Sequence, residues 1–214
     1  MCGRYNWGER TGYAVEKELG LDRSSFVMAA GDVTPGSSPT VLTADRGARS
    51  GSLEALTKSR NIVTSDTSSR QIIVTTMFWG ITGADKKLII NARAESALQK
   101  HMFADSVLHR RCIMPAASFY EWDRDRNKVT FFRQDHSPIY LAGFYQLSEN
   151  RESFAILTTA ANESMIPIHD RMPLMIEKTD VRDWLYDPDA AKEILASPMP
   201  RLERTQEYEQ LKLF

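Results

Sequence analysis

Apolar residues fall into short runs over most of the chain, and these runs are rich in β-branched and aromatic residues, as β-strands are. The strand-like runs occupy residues 40–43, 72–79, 88–91, 111–116, 129–133, 139–145 and 154–159. Polar segments with turn-forming residues separate them. The pattern predicts a protein in which β-sheet dominates.

Helical spacing of apolar residues occurs in only a few places. The segments concerned are residues 8–20, 94–109, 180–186 and 190–196. In the first, Val15 and Leu19 lie four residues apart, and Gly20 is placed to end the helix. Because the helices are grouped between runs of strands, we predict an α+β fold. We expect a single domain, residues 2–214, with a curved, largely antiparallel, barrel-like sheet flanked by helices.

Two polar segments interrupt this pattern. Residues 31–39 (GDVTPGSSP) are dense in Gly, Pro and Ser and predict a shaped loop. Residues 44–70 are rich in Ser, Thr and Gly and mildly basic. We interpret them as a flexible surface insertion in preference to a DNA-binding flap.

Composition and charge narrow the functional classes. The 214 residues are 42% hydrophobic and 26% charged, which suits one domain with a substantial core. A formal net charge of -1 argues against a protein that coats nucleic acid through bulk positive charge, but it permits a local basic groove. The start shows no export signal, no apolar run could span a bilayer, and two cysteines suit a reducing compartment. We therefore expect a cytoplasmic protein without membrane contact.

Cys2 is the first candidate for chemistry. It directly follows Met1, and a small second residue is the usual context for removal of the initiator Met, which would expose a 1,2-aminothiol. An α-amine has an ordinary pKa of about 7.7–8.0 and a thiol one of about 8.5, so both are partly available near neutral pH. The amine can condense with an aldehyde, and the thiol can then close a five-membered thiazolidine. A small residue at a start codon, without a role, is the alternative.

Asn91 and Arg93 close an apolar run just before a predicted helix, in LIINARAES. Two-residue spacing puts both side chains on one face of a strand. The amide could position a carbonyl or imine and the guanidinium a phosphate. A capping Asn beside a surface Arg is the alternative.

Glu121 stands between Tyr120 and Trp122, after the apolar run CIMPAA. A carboxyl group among aromatic rings is shielded from water, which suits proton transfer, and an aromatic ring can stack on a base. An exposed glutamate at the end of a strand is the alternative.

His169 stands among apolar residues in IPIHDRMPLMI, where Asp170 and Arg171 follow it. Histidine can give and take protons near neutral pH, and Asp170 could orient the ring. A structural histidine is the alternative. The other histidines lack metal-ligand spacing and no glycine-rich phosphate loop occurs, so we expect neither a metal nor a cofactor.

Read in order, five short motifs resemble the SRAP family, the SOS response-associated peptidases. They are MCGRY at residues 1–5, FWG at 78–80, INAR at 90–93, FYEW at 119–122 and IHDRMP at 168–173. The match runs from residue 2 to about residue 186. The resemblance implies one domain around a curved sheet, and covalent capture of abasic sites by mature Cys2, which shields the lesion during the DNA damage response.

The resemblance also implies catalytic roles for four residues. Asn91 would hold Cys2 and the reacting sugar, and Glu121 would orient or deprotonate the α-amine. His169 would assist opening of the deoxyribose ring and the proton transfers. Removal of the initiator Met by autoproteolysis and a weak AP lyase activity, by β-elimination, are further implied activities.

The implied partner is single-stranded DNA that contains abasic sites, and a junction of single and double strands is a further candidate. The expected DNA contacts are Arg4, Arg93, Trp122, Thr159 and Arg171. The implied form is a monomer.

The chain departs from the family pattern in several places. Ala117 and Ser118 stand where Asp-Gly is frequent, segment 44–70 is long, and the loop after FWG is short. The C-terminal residues 199–214 (MPRLERTQEYEQLKLF) lack the HPVS-like and Val-Asn elements expected near the family's end. DNA contacts in these regions therefore have no precedent in the family pattern.

Three other functions stay open. An N-terminal-nucleophile amidohydrolase of the glutamine amidotransferase type also begins with Cys-Gly, but it needs glycine and asparagine motifs that we do not find. A cysteine peptidase would use Cys2 and His169. A single-stranded DNA binder without chemistry would keep its activity when Cys2 becomes Ala.

Overall fold

The computed structural model describes residues 2–21, 26, 30–45, 70–148 and 151–207. Within these ranges the strands are Tyr5–Trp7 (β1), Gly31–Val33 (β2), Thr40–Ala44 (β3), Ile72–Thr76 (β4), Phe78–Trp79 (β5), Ile81–Thr82 (β6), Leu88–Ile89 (β7), Asn91–Arg93 (β8), Arg111–Ala116 (β9), Ser118–Trp122 (β10), Lys128–Phe132 (β11), Ile139–Leu147 (β12), Glu152–Ala160 (β13), Arg171–Pro173 (β14), Met175–Ile176 (β15) and Glu203–Glu207 (β16). The helices are Thr11–Leu19 (α1), Ala94–Ala97 (α2), His101–His109 (α3), Val181–Tyr186 (α4) and Pro188–Leu195 (α5), with a 3-10 turn at Lys178–Asp180. None of these helices is long and apolar enough to cross a membrane.

The strands form two main sheets. The small sheet has the order β16-β11-β10-β1-β2. The large sheet has the order β14-β13-β12-β9-β3-β4, with β15 beside β12 and with β5 and β8 beside β13. Pairing in these sheets is antiparallel except where β5 and β8 run parallel to β13. A short hairpin of β6 and β7 stands apart.

The large sheet is buried on both faces, as β12 illustrates. Ile139 and Leu141 pack in a core cluster that also contains residues of the small sheet, so this cluster lies between the sheets. Tyr140 and Ala142 pack in a second cluster with Trp184 of α4. Successive side chains of a strand point to opposite faces, which explains the alternation. The small sheet therefore covers one face of the large sheet and helices cover the other.

A buried arginine ties two helix ends to the large sheet. Arg111, at the start of β9, donates hydrogen bonds to the carbonyl oxygens of Val107, Leu108, Trp184 and Leu185. These carbonyls lie in the last turns of α3 and α4, where a helix leaves its acceptors without internal partners. One side chain thus satisfies both helix ends, and its burial is compensated by hydrogen bonds.

The predicted α+β class and the largely antiparallel pairing are confirmed. Barrel-like describes the core only loosely, because the sheets are open. The predicted helix over residues 94–109 is two helices, since Lys100 between α2 and α3 adopts an extended conformation. The predicted insertion, residues 44–70, lies outside the described residues except at 44, 45 and 70, and its flexibility stays a prediction, as does the division into one domain.

Gly143, on β12, has no room for a side chain. A Cβ there would lie 2.7 Å from the Ala155 carbonyl oxygen and 2.8 Å from Met114 Cε. We expect Gly143→Ala to lower the free energy of unfolding by about 1–3 kcal/mol, because paired strands cannot move apart without losing hydrogen bonds. In the control Gly12→Ala, on α1, the new Cβ would meet Trp7 at 3.5 Å, so the change should be neutral or slightly stabilising. Urea denaturation measures both, and equal effects would contradict this account.

Candidate active site

Cys2 lies in the segment that leads into β1, and its side chain is fully buried. It packs in the cluster between the sheets, which also holds Tyr5 and Trp79. Its Sγ atom is 3.8 Å from the Arg4 carbonyl oxygen, and that carbonyl also accepts the Tyr120 N–H at 3.0 Å. The N-terminal segment is therefore held along β10, with the thiol turned inward.

Burial changes the acidity of this thiol. Loss of water around it raises the pKa of Cys2 to about 12, and the negative charge of Glu121 contributes in the same direction. A hydrogen bond with the Arg4 backbone acts the other way and lowers this pKa. The resting thiol is consequently protonated near neutral pH, unlike the thiolate of a typical reactive cysteine.

Asn91 connects Cys2 to the large sheet. Strand β8 runs parallel to β13, where Asn91 stands opposite Ile156. From there the Asn91 Nδ2 donates a hydrogen bond of 2.9 Å to the Cys2 carbonyl oxygen. The other end of the amide, Oδ1, is buried and accepts no hydrogen bond from any described residue. An amide fixed at its nitrogen and open at its oxygen can receive a donor from a bound molecule.

Glu121 faces the space between the sheets. Phe119, two residues earlier on β10, is fully buried in the inter-sheet cluster, and Glu121 shares its face and is only 4% exposed. The interpretation as an exposed strand-end glutamate is therefore wrong. Tyr120 and Trp122 alternate with it and point to the opposite face, so adjacent aromatic rings do not enclose the carboxylate. The inward face of β10 shields it instead.

His169 follows a turn and precedes β14. Its Nδ1 accepts a hydrogen bond of 2.9 Å from the Arg171 backbone N–H. Asp170 Oδ1 is also 2.9 Å from Nδ1, but one nitrogen cannot accept from an amide and donate to a carboxylate at once. The backbone bond is held by β14 while Asp170 is 86% exposed, so we assign the proton of the neutral ring to Nε2. In this tautomer the Arg171 backbone orients the ring, and Asp170 is placed to pair with Nδ1 when the ring carries a second proton.

Arg171 and Arg93 flank the end of β13 but differ in their contacts. The Arg171 guanidinium binds both carboxylate oxygens of Glu95, at 2.6 and 2.8 Å, and the Thr158 carbonyl at 2.6 Å. Hydrogen bonding to Arg171 is the main reason that the pKa of Glu95 is lowered. Arg93 is on β8, which pairs with the edge of β13 opposite to β14, and its register partner is Thr158. Its side chain is exposed and forms no ion pair with any described residue. Thr159, next along β13, is half-buried opposite Met172.

Arg4 and Trp122 meet on the outer face of the small sheet. The Arg4 guanidinium carbon lies 5.6 Å from the centroid of the Trp122 ring, which is 39% exposed. Arg4 also approaches Asp32 at 3.7 Å, and the Tyr120 hydroxyl donates to Asp32 at 2.9 Å. Asp32 was not predicted as a site residue. It lies within a glycine- and proline-rich loop segment, and no sequence pattern marked its pairing.

The predicted residues thus form three groups. Cys2, Asn91 and Glu121 converge between the sheets. Arg4 and Trp122 lie on the outer face of the small sheet, while Arg93, Thr159, His169 and Arg171 cluster where β8, β13 and β14 meet. The last group joins the first through Ile168 and Met165, which pack in the cluster that holds Cys2. Among the described residues, no group of His, Cys, Asp or Glu side chains could hold a metal ion.

Comparison with known proteins gives matches over nearly the whole chain. The model of the SOS response associated peptidase (SRAP) family matches residues 1–211. The abasic site processing protein YedK of Escherichia coli is 32% identical over 126 residues, which are 55% of this chain and 57% of that protein. The abasic site processing protein YoqW of Bacillus subtilis is 35% identical over 136 residues, which are 55% of this chain and 61% of that protein. The chain spans about three fifths of the length of these curated relatives.

Solved structures show the same fold. A crystal structure of a protein from Bordetella bronchiseptica superposes with a TM-score of 0.71 and 20% identity, covering 97% of this chain and 100% of that one. A phage-related protein from the same organism gives a TM-score of 0.70 and 21% identity, covering 97% of this chain and 95% of that one. At this sequence identity the similarity establishes the fold, and the chemistry must be inferred from the residues of the site.

Removing the charge of Glu121 should make the Cys2 thiol more acidic. In Glu121→Gln the carboxylate no longer disfavours the thiolate, so we expect the pKa of Cys2 to fall but to stay above its ordinary value, because burial remains. The ultraviolet absorbance of the thiolate, titrated with pH in a Cys112→Ala background, measures the shift. Glu152→Gln is the matched control, since the Glu152 charge acts on Cys112. Equal shifts in the two variants, or none in Glu121→Gln, would refute the assignment.

Proposed function

The chain belongs to the SRAP family, and on this premise we propose that it processes abasic sites in DNA through a covalent link between mature Cys2 and the opened deoxyribose. The supporting observation is the placement of Cys2, whose carbonyl is held by Asn91 and whose thiol is within the field of Glu121. The names of the relatives, abasic site processing proteins, support the abasic site as the substrate of this proposal. Removal of Met1, by autoproteolysis or otherwise, frees the α-amine that the reaction needs.

The acidity of the thiol sets the order of events in the proposed reaction. A protonated thiol is a poor nucleophile, so the α-amine attacks the sugar aldehyde first and the carbinolamine loses water to form an imine. The Sγ atom then adds to the imine carbon while the thiol proton passes to the nitrogen. The balance is one carbon–nitrogen and one carbon–sulfur bond formed and one water released.

The surrounding residues serve these steps in the proposal. Glu121 accepts a proton from the α-ammonium group, which makes the amine nucleophilic. Asn91 fixes Cys2 through Nδ2 and offers its Oδ1 to a hydroxyl of the sugar. His169 presents Nε2–H toward the sugar and assists ring opening, since an abasic sugar is mostly a closed hemiacetal and the aldehyde must be exposed before attack.

DNA contacts follow from exposure and charge. We propose that Arg93, exposed and without an ion pair to a described residue, binds a phosphate, and that Trp122 with Arg4 forms a stacking surface for a base of a single strand. Thr159, half-buried on β13, shapes the pocket near Arg93. Arg171 reaches a phosphate only in competition with Glu95, so its larger role is to hold β14 and the ring of His169.

Finer features complete the proposal. The protein acts as a monomer in the cytoplasm, on plain single strands and on junctions. β-Elimination from the imine competes with closure of the thiazolidine, which would give a minor AP lyase activity. A cysteine peptidase is less well supported, because the raised pKa of Cys2 opposes formation of a thiolate.

The link should require both nucleophiles of Cys2. We expect wild-type protein, mixed with a single-stranded oligonucleotide that carries one abasic site, to form an adduct that survives a denaturing gel without reduction. Cys2→Ala keeps an α-amine but no thiol, so it should form only an imine that appears on the gel after borohydride reduction. Cys112→Ala is the control and should behave as wild type, because that thiol is buried and lacks an amine.

Each arm of this experiment has a contrary outcome. An unreduced adduct of normal yield with Cys2→Ala would refute the thiazolidine. No adduct from a protein whose N-terminus is Cys2 by intact mass would refute capture and favour glutamine hydrolysis or simple DNA binding.

Arg93 should contribute to DNA affinity through charge alone. We expect Arg93→Ala to weaken binding of single-stranded DNA and to reduce the slope of log K against log salt by about 0.7, the value for one phosphate contact on a single strand. At saturating DNA the rate of adduct formation should be retained. Fluorescence anisotropy over a salt series measures the slope, with Lys192→Ala, on α5, as the control. An unchanged slope would remove Arg93 from the interface.

A further inference from the structure

The turn that carries His169 is fastened to the C-terminal part of the chain. We call residues 161–170 the His169 loop and residues 199–204 the C-terminal segment. The Asn162 Nδ2 donates to the carbonyl oxygens of Met199, at 3.1 Å, and Pro200, at 2.9 Å. Asn162 Oδ1 accepts from the Ser164 N–H at 3.1 Å and from the Ser164 hydroxyl at 2.7 Å. The nitrogen end of this amide therefore joins the loop to the segment, and the oxygen end binds Ser164 within the loop.

Ser164 makes a second connection between the same two parts. The Leu202 N–H donates to Ser164 Oγ at 3.2 Å, and the Arg204 guanidinium donates to the Ser164 carbonyl oxygen at 3.1 Å. Leu202 itself is buried in the cluster that holds Cys2. The loop and the segment are thus joined by hydrogen bonds at Asn162 and Ser164, and the apolar side chain of Leu202 anchors the segment in the core.

Backbone hydrogen bonds within the loop connect Asn162 to His169. The Ala161 N–H donates to the Asp170 carbonyl at 3.0 Å, which closes the loop at its base. Within it, the Met165 N–H donates to the Asn162 carbonyl and the His169 N–H to the Met165 carbonyl, each at 3.0 Å. A shift of Asn162 would therefore move the backbone of His169 through two hydrogen bonds.

The C-terminal segment continues directly into β16, which pairs with β11, the neighbour of the strand that carries Glu121. Attachment of the His169 loop to this segment therefore ties the loop to the small sheet. We propose that Asn162 is a positioning residue for the reaction. By attaching the His169 loop to the C-terminal segment, it holds His169 at a fixed position relative to Glu121 and Cys2. This inference rests on the proposed function for its chemical consequence and on the contacts of Asn162 for its structural part.

The structural part is tested without DNA. In Asn162→Ala, hydrogen exchange should become faster at the amides of Ser164 and Leu202, whose partners the substitution removes or displaces, while amides of β12 exchange as in wild type. Ser164→Ala, a milder change, should affect the same amides. Ser148→Ala is the matched control, since among the described residues its hydroxyl bonds to the Arg151 carbonyl, in a distant turn. Unchanged exchange at both amides would overturn the proposal.

The chemical part compares two aldehydes. With abasic DNA, Asn162→Ala should slow adduct formation about ten- to hundredfold, because the ring-opening group is misplaced. With propanal, which has no ring to open, thiazolidine formation measured by intact mass should stay within twofold of wild type. The double variant Asn162→Ala, His169→Ala should be no slower on abasic DNA than His169→Ala alone.

The contrary results are distinct. Equal losses with both aldehydes, or additive losses in the double variant, would overturn positioning of His169 by Asn162. If wild-type protein formed no adduct with either aldehyde, the proposed function would fail, while the exchange result would still decide whether Asn162 fastens the loop.

Discussion

The hydrogen bond from the Asn91 amide to the Cys2 carbonyl is the contact on which the site depends. Cys2 precedes the first strand, so no ladder partner of that strand satisfies its carbonyl, and Asn91 supplies the donor from the other sheet. Fixing this carbonyl also restricts the directions in which the amine and the thiol of Cys2 can point. Asn91 in turn is placed by the parallel pairing of β8 with β13 in the large sheet.

Burial between two sheets gives this cysteine its chemical character. A desolvated thiol beside a carboxylate stays protonated, which makes it slow toward oxidants and alkylating agents that react with thiolates. The same environment leaves the α-amine as the group that begins reaction with an aldehyde. A site of this kind selects its substrate by chemical reactivity, because the protonated thiol adds only to a molecule that has first formed an imine with the α-amine. In the proposed reaction, specificity for a lesion that carries an aldehyde follows from that order.

Sequence patterns predicted most of the long elements, and three of the predicted site residues, Cys2, Asn91 and Glu121, lie together between the sheets, but the patterns did not predict which hydrogen bonds these side chains make. The run 111–116 became β9 as predicted, because both of its faces are buried. Strands β1, β2 and β14 were missed because three residues carry no readable period, and β16 because ERTQE has no apolar alternation. Arg171 was expected at a phosphate, yet its partner Glu95 lies 76 residues away, a pairing that only the folded sheet creates. Asp170 was expected to orient His169, and its carboxylate does lie 2.9 Å from Nδ1, but the Arg171 N–H of β14, which the sequence did not indicate, reaches the same atom.

Peptide mapping of the adduct tests the central claim most directly. The protein is reacted with an abasic oligonucleotide, denatured, alkylated at free thiols, digested with protease and nuclease, and sequenced by tandem mass spectrometry. The account predicts that the sugar remnant lies on the peptide that begins at Cys2, with the loss of one water, that the Cys2 thiol is not alkylated and that Cys112 is. A remnant on a lysine, or on a Cys2 that still carries Met1 or is alkylated at sulfur, would contradict it.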